Sequence, residues 1–314
     1  MSAENNREHE TQEQELWERI STTEGAERAE VLDELSHLAY KRDNYSECLQ
    51  LVDTSIDIYY KLGMDAHLKE LIHLYEGKAF SLRKLDRLAE SADTFTDIAK
   101  LHQLNDDTDG FLRATRAAAC DWYEVKEWQK CLDGHIAARD AIDPDATPMS
   151  MGIDLLNIGM AQAKLDQHQE AIDNFISARK LFKEAKNPEY VNWVDQYANI
   201  SYFAIGNGPE ALFHAKHYFN YSKVAQDISM EGYALYYLGK AHLLCEEHEE
   251  AAQLLKKALG LLTLEDSKDW VDIVDANHSL AKALTALGRD DEAKERLERT
   301  ATIEETIRSD GKAA

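Results

Sequence analysis

Proline and glycine are scarce in this chain, at four and fourteen of 314 residues. Runs of valine and isoleucine are also few, while Leu, Ala, Glu and Lys are plentiful. Few helix breakers and few β-branched runs exclude a sheet-rich fold and point to an all-α chain. Basic residues are the minority: 35 Lys and Arg stand against 59 Asp and Glu, for a formal net charge of -24. That balance argues against non-specific binding to nucleic acid or to an anionic membrane surface, both of which need clustered cations. No apolar run approaches the roughly 18 residues of a membrane span. The opening segment, MSAENNREHETQEQELWERI, has no apolar secretory core. The four cysteines (Cys48, Cys120, Cys131, Cys245) are scattered without a CxxC, which fits free thiols and a cytoplasmic location. HExxH, GxGxxG, GxxxxGK[ST] and GxSxG are all missing. The apolar fraction, 44%, is nonetheless enough for a substantial core.

What the chain does have is a period. Short polar turns followed by a small residue recur at Cys48, Ser91, Cys131, Ala171, Ala211, Ala251 and Ala293, spaced 43, 40, 40, 40, 40 and 42 residues apart. Before each small residue the apolar positions follow a helical i, i+3/i+4, i+7 pattern, as in LLNIGMAQAKL (155–165) and ALYYLGKAHLL (234–244). A second amphipathic run follows, as in EAIDNFISARKLFKEA (170–185). The breakers between units are NDDTDG (105–110), DPDATP (143–148), NP (187–188) and LEDSKD (264–269). The small residue opens the second helix, where only Ala, Ser or Cys lets two helix backbones approach.

These units resemble the tetratricopeptide (TPR) repeats. Leu235, Leu238, Gly239, His242, Ala251, Leu255 and Ala258 occupy that family's pattern positions, as do Leu155, Ile158, Gly159, Ala171, Phe175 and Ala178. In the first three units the Leu-Gly pair is replaced, by Ala118-Ala119 or Leu35-Ser36 for example. The family's usual period is about 34 residues, so units of 40 imply longer helices, similar to the extended TPR arrays of bacterial regulators and kinesin light chains. The resemblance implies a right-handed α-α superhelix (an α-solenoid) of seven helix-turn-helix units. The expected organisation is a single domain over 13–308 with repeats near 29–71, 72–111, 112–151, 152–191, 192–231, 232–273 and 274–308. Disordered tails are expected at 1–12 and 309–314. Leu16, Trp17 and Ile20 would cover the first unit, and Ala293, Leu297 and Ala301 would form the thin inner stripe of the last helix.

Two stretches suggest a metal. His242, Cys245 and His248 fall within seven residues, but only the first two share a helical face and zinc usually takes four ligands. In NDDTDG, Asn105, Asp107, Asp109 and Gly110 match a calcium loop, but its twelfth position is Arg116 instead of an acid. Neither is expected to hold a metal, and no cofactor is implied.

The resemblance directs attention to the groove that the first helices of such repeats line, which takes a peptide or a segment of another protein. Its expected residues in the first three units are His37, Tyr40, Lys41, His73, Glu76, Phe80, Arg83, Lys84, Arg113, Arg116 and Tyr123. The later units add Leu156, Met160, Lys164, Trp193, Gln196, Ile200, Phe203, Tyr233, Tyr236, Lys240, Leu243, His278 and Lys282. Arg83, Lys84, Arg113 and Arg116 would form a basic zone for a partner's carboxylates or phosphates, and Trp193, Ile200, Phe203, Tyr233 and Tyr236 an aromatic zone for an apolar anchor. Arg83 and Lys84 can also be read as cations favoured at a helix C-terminus, and the aromatics as packing between repeats. The asparagines of the TPR carboxylate clamp are missing. The expectation is a non-catalytic scaffold whose partner is a protein or peptide with acidic and apolar anchors. Direct contact with nucleic acid or membrane is not expected, and self-association through an array end stays open. A peptide-sensing receptor of the bacterial TPR-regulator kind is the alternative reading. An enzyme or metalloprotein with ligands dispersed in sequence is a third.

Overall fold

The structure, a computed structural model, describes residues 3–143, 146–264 and 270–309, with side chains from Thr11 onward. Among the described residues there are fifteen α-helices, a 3-10 turn at Met64–Ala66 and no strand. After α1 (Ala3–Ile20) the helices come in seven antiparallel pairs. These are α2 (Gly25–Lys41) with α3 (Tyr45–Leu62), α4 (Leu68–Lys84) with α5 (Leu88–Leu104), and α6 (Thr108–Glu124) with α7 (Trp128–Ala141). There follow α8 (Pro148–Lys164) with α9 (His168–Glu184), α10 (Pro188–Ala204) with α11 (Gly208–Ala225), α12 (Ile228–Leu244) with α13 (His248–Leu262), and α14 (Trp270–Ala286) with α15 (Asp290–Ser309). Two compact units divide the chain, one up to and including Ala146 and one from Thr147 on.

The 40-residue period has a simple origin. From Leu68 to His248 a new helix begins every 20 residues, in most cases after 17 residues of helix and a three-residue link; α7 is shorter with a longer link, and α11 is one residue longer with a link of two. Those links are one motif repeated. In seven of them, and in the links before α3 and α15, a residue with φ between 53° and 75° (Asp43, Asp86, Asp106, Lys126, Asp166, Lys186, Gly206, Glu246, Gly288) reverses the chain. The amide of the next residue then donates back to a carbonyl five residues earlier, as Arg87 to Leu82 and Glu247 to His242. This is the Schellman closure, which satisfies orphan carbonyls at a helix end. Asn44, Asp107, Asn187 and Asn207 then cap the following helix with a side-chain oxygen. Pro148, Pro188 and Pro209 lie in first turns, where a missing N–H costs no bond.

The seven small residues that mark the period each occupy the fourth position of a second helix, and all are buried. Opposite them the first helices bring their own small residues. A Cβ on Gly159 would stand 2.5 Å from the Phe175 ring, and one on Gly239 would stand 2.7 Å from Leu255. The Leu-Gly positions are therefore points where one helix's side chain lies on the other's backbone. Around them the later unit builds its core from Phe175, Phe182, Val194, Leu255 and Ile273. The earlier unit uses Leu35, Leu71, Leu74, Leu82 and Ile98.

The ends differ from expectation in register. α1 begins at Ala3, and within it Leu16 is buried while Trp17 is exposed. In α15 the inner stripe is Ala293 and Thr300 with Arg296, Ile303 and Ile307 half-buried. Leu297 and Ala301 point outward instead. The Thr300 hydroxyl, satisfied by the Arg296 carbonyl, allows this more polar stripe to turn inward. Of the expected tail at 309–314, Ser309 ends α15 and the rest lies outside the described residues, as do 1–2, 144–145 and 265–269. No helix among the described residues is long and apolar enough to cross a membrane.

Candidate functional site: the face of the first helices

In the unit before Ala146, the first helices α2, α4 and α6 carry the expected groove residues. Tyr40, Arg116 and Tyr123 are half-buried, and His73, Lys84 and Arg113 are exposed. Phe80 is 46% exposed and meets Phe95 edge-on at 5.9 Å. Arg83 does not belong to an open basic zone. Its Nε donates to both Asp121 carboxylate oxygens at 2.9 and 3.0 Å, and its Nη2 to the Ala117 carbonyl at 3.1 Å. The guanidinium also lies 4.4 Å from the Phe95 ring centre, and Ser91 Oγ donates to Asp121 at 2.7 Å. This fork ties α4 to α6 around a buried acid, so Arg83 is structural, and the exposed cations of the expected basic zone are Lys84 and Arg113.

The unit from Thr147 on presents α8, α10, α12 and α14. Met160, Gln196, Ile200, Phe203 and Tyr233 are half-buried, and Lys164 and Lys282 are exposed. Trp193 is 40% exposed and packs on Tyr190 at 5.1 Å. Tyr236 is only 3% exposed and belongs to the core. Its hydroxyl donates to Asp275 at 2.6 Å. Lys240 Nζ donates to Asp275 at 2.8 Å, lies 3.2 Å from the Tyr236 hydroxyl, and stands 4.6 Å over the Phe203 ring. Part of the aromatic zone is thus a strap across α10, α12 and α14. Burial, then the hydrogen bond to Asp275 and its charge, push the Tyr236 hydroxyl far up. Burial raises the Asp275 carboxyl too, but the bonds from Lys240 and Tyr236 outweigh it and hold the group below the usual carboxylate range.

Two clusters were not singled out from sequence as groups. On α9–α11, Asp195 is buried between Arg179 and His214, with Arg179 Nε at 2.7 Å and His214 Nδ1 at 2.6 Å. Burial drives the Asp195 carboxyl upward, yet the hydrogen bonds from His214 and Arg179 dominate and hold it low. Tyr202 stacks on His214 at 5.3 Å. A cavity of about 420 Å³ lies on one side, lined by Phe182, Asn192, Asp195 and His217, and an open cleft of about 800 Å³, lined by Arg179, Tyr202 and His214, on the other. An Asp–His pair is an orienting device in nucleophilic catalysis. Among the described residues lining these two clefts, however, no Ser, Thr or Cys is present for it to activate. Asp195 and His214 lie 19 residues apart on different helices, so their spacing carried no signal. The second cluster is Asp33, His37 and His73, which α2 and α4 bring together; Asp33 is the member that sequence reading left out.

The stretch 242–248 resolves differently. His242 bonds Glu247, Cys245 ends α12 at the place Leu85 and Leu165 hold in earlier units, and His248 is the first residue of α13 and not part of the turn. In NDDTDG, Asp107 accepts from the Gly110 amide at 2.9 Å and lies 2.9 Å from His102, so its carboxylate caps α6.

No protein-family model and no curated protein matches the chain. Solved structures do. The apo form of RapI matches at 11% identity over 90% of this chain and 99% of its own, with a TM-score of 0.61. The chain is a TPR-like helical-repeat protein. A Rap protein complexed with competence and sporulation factor matches at 15% identity over 88% of this chain and 77% of its own, TM-score 0.56. The apo form of the quorum sensor NprR from B. thuringiensis matches at 13% identity over 95% and 83%, TM-score 0.57. At such identities the likeness is one of fold. Each unit is built of TPR-like helix pairs, with the long 40-residue repeat as the local variant.

Proposed function

We propose that this TPR-like chain is a non-catalytic scaffold that holds a peptide or protein segment on the face of its first helices. The observation that carries the reading is the exposure of large aromatics in the middle of first helices, Phe80 on α4 and Trp193 on α10. A mid-helix aromatic left in water on the face that neighbouring repeats share has the character of an interface anchor. Exposed Lys84 and Arg113 on α4 and α6 would meet a partner's carboxylates, and Trp193 with half-buried Ile200 and Tyr233 its apolar side chains. Arg83, Tyr236 and Lys240 would hold the face in shape beneath the partner. The test is affinity capture from the native host by the full chain, read by mass spectrometry, beside Phe80→Ala and Trp193→Ala. A partner retained by the wild type and lost by either variant at unchanged melting temperature supports the reading. Identical capture by all three proteins sinks it.

A peptide-sensing role is a second reading, favoured by the fold likeness to the quorum sensor NprR over 95% of this chain. A ligand that binds only the folded state raises the melting midpoint with concentration. Short host peptides that shift the midpoint of the wild type but not of Trp193→Ala would select this reading over a scaffold for larger proteins.

A further inference from the structure

Asp33 and His37 are one turn apart on α2, and His73 reaches them from α4. Asp33 Oδ2 lies 3.3 Å from His73 Nε2, and Asp33 Oδ1 lies 3.7 Å from His37 Nδ1. The two imidazole rings face each other at 5.3 Å with 30° between their planes. One ligand atom from each of the three residues lies within 4.8 Å of the other two, and among the described residues no other group of three or more His, Cys, Asp or Glu does this. We infer that this α2–α4 step binds a divalent transition-metal ion of the zinc class through Asp33, His37 and His73.

The geometry is close to what such an ion needs. Zinc bonds to nitrogen and oxygen of about 2.0–2.1 Å place neighbouring tetrahedral donors roughly 3.3–3.4 Å apart. The Asp33–His73 edge is already there, and His37 closes by a small side-chain movement in open solvent. Two imidazoles with one carboxylate suit zinc, cobalt, nickel or iron(II); magnesium and calcium prefer oxygen donors throughout. His37 Nδ1 also lies 3.0 Å from the Asp33 carbonyl oxygen, a hydrogen bond that the ion replaces when Nδ1 is the ligating nitrogen. The spacing of Asp33 and His37 is set by one helix, and the α2–α4 step is set by the repeat, so little ordering remains to oppose binding. Three protein donors leave a coordination position for water or for a donor on a bound partner. The site lies among the expected groove residues, but the inference does not depend on the peptide-binding reading and survives its failure.

The competing account is a hydrogen-bonded cluster in which Asp33 serves two histidines and no ion is taken up. Full-length protein, stripped with chelator and dialysed, is titrated with zinc chloride by calorimetry, and cobalt(II) absorption is recorded in parallel. Saturable binding of one equivalent at about micromolar Kd or tighter is expected. His37→Ala and His73→Ala should each weaken it by at least the roughly 10–100-fold that loss of a mere supporting partner costs, while His242→Ala leaves it unchanged. Both histidine side chains are more than half exposed, at 54% and 55%, so the variants should keep the wild-type melting temperature. Absence of saturable zinc binding overturns the inference. So does binding that persists undiminished in the His37→Ala/His73→Ala double variant.

Discussion

Lys240 and Asp275, from the first helices of consecutive repeats, meet at 2.8 Å with the Tyr236 hydroxyl sharing the same carboxylate. Lys240 is mostly covered and lies over Phe203, so one cation links three helices, α10, α12 and α14. Repeat arrays gain stability from interfaces between neighbours, and this contact is such an interface in polar form. Replacing Lys240 with Ala removes the cation–π contact and leaves Asp275 with Tyr236 alone. The expected loss is about 1–2 kcal/mol, kept modest because Asp275 is half exposed. Urea unfolding followed by circular dichroism reads it. A variant as stable as the wild type would mean that the strap is ornamental.

Glycines give a paired test of the close-packing argument. Gly239→Ala places a methyl group 2.7 Å from Leu255, and overpacking of this kind costs about 1–3 kcal/mol. Gly77, in the interior of α4, has nothing within 4 Å of an added Cβ. Gly77→Ala should therefore stabilise by about 0.5–1 kcal/mol through helix propensity. Opposite shifts in thermal midpoint are the expected result. Two shifts of the same sign would refute the assignment of Gly239 as a backbone contact point.

Much of this was legible in the sequence, and the reason is repetition. A period of 40 with a small residue at its turn has one economical solution, because each of those residues must admit a neighbouring backbone. Cys48, Ser91 and Cys131 can stand where Ala171 does because all are small, and the Ser91 hydroxyl serves Asp121 besides. The face of the first helices was less legible. Arg83 and Arg113 occupy nearby exposed-looking positions in the pattern, but Asp121, 38 residues after Arg83, decides that only one is tied down. The same holds for Asp33 and His73, which only the stacking of α2 beside α4 brings within reach. Helix register at the last repeat was ambiguous because Leu297 and Thr300 define rival stripes.

Asp195 makes the stability of the later unit depend on acid. Its folded carboxyl is held below the ordinary range by Arg179 and His214, so the unfolded chain binds the proton more readily. Stability from this group is therefore fully present above the unfolded value of about 3.9 and is lost as pH falls further, through the folded value. Asp275 acts in the same direction. Chemical denaturation from about pH 6 down to pH 2 should show a steep decline below pH 4. Asp195→Asn should lower stability at neutral pH and make that decline shallower. An equally steep acid limb in the variant would assign it to other carboxylates.

Arg83 and Arg113 separate the two roles a cation plays on the face of the first helices. Arg83→Ala leaves Asp121, buried on α6, with only the Ser91 hydroxyl, and strands the Ala117 carbonyl that Nη2 served. Removing one partner of a buried pair is costly; with Arg83 about one-third exposed, the loss should be about 2–4 kcal/mol. Arg83→Lys should recover little of it, because an ammonium cannot reproduce the fork that spans both carboxylate oxygens and a carbonyl. Arg113→Glu, at an exposed position one helix away, should change stability by less than about 0.5 kcal/mol. If the basic face meets a partner's acids, that same variant weakens capture, and Lys84→Glu adds to the effect. Unfolding midpoints and capture measured on the same preparations distinguish the outcomes: a destabilised Arg113→Glu would place Arg113 in the fold, and undiminished capture by Arg113→Glu/Lys84→Glu would remove the acid-binding role from this face.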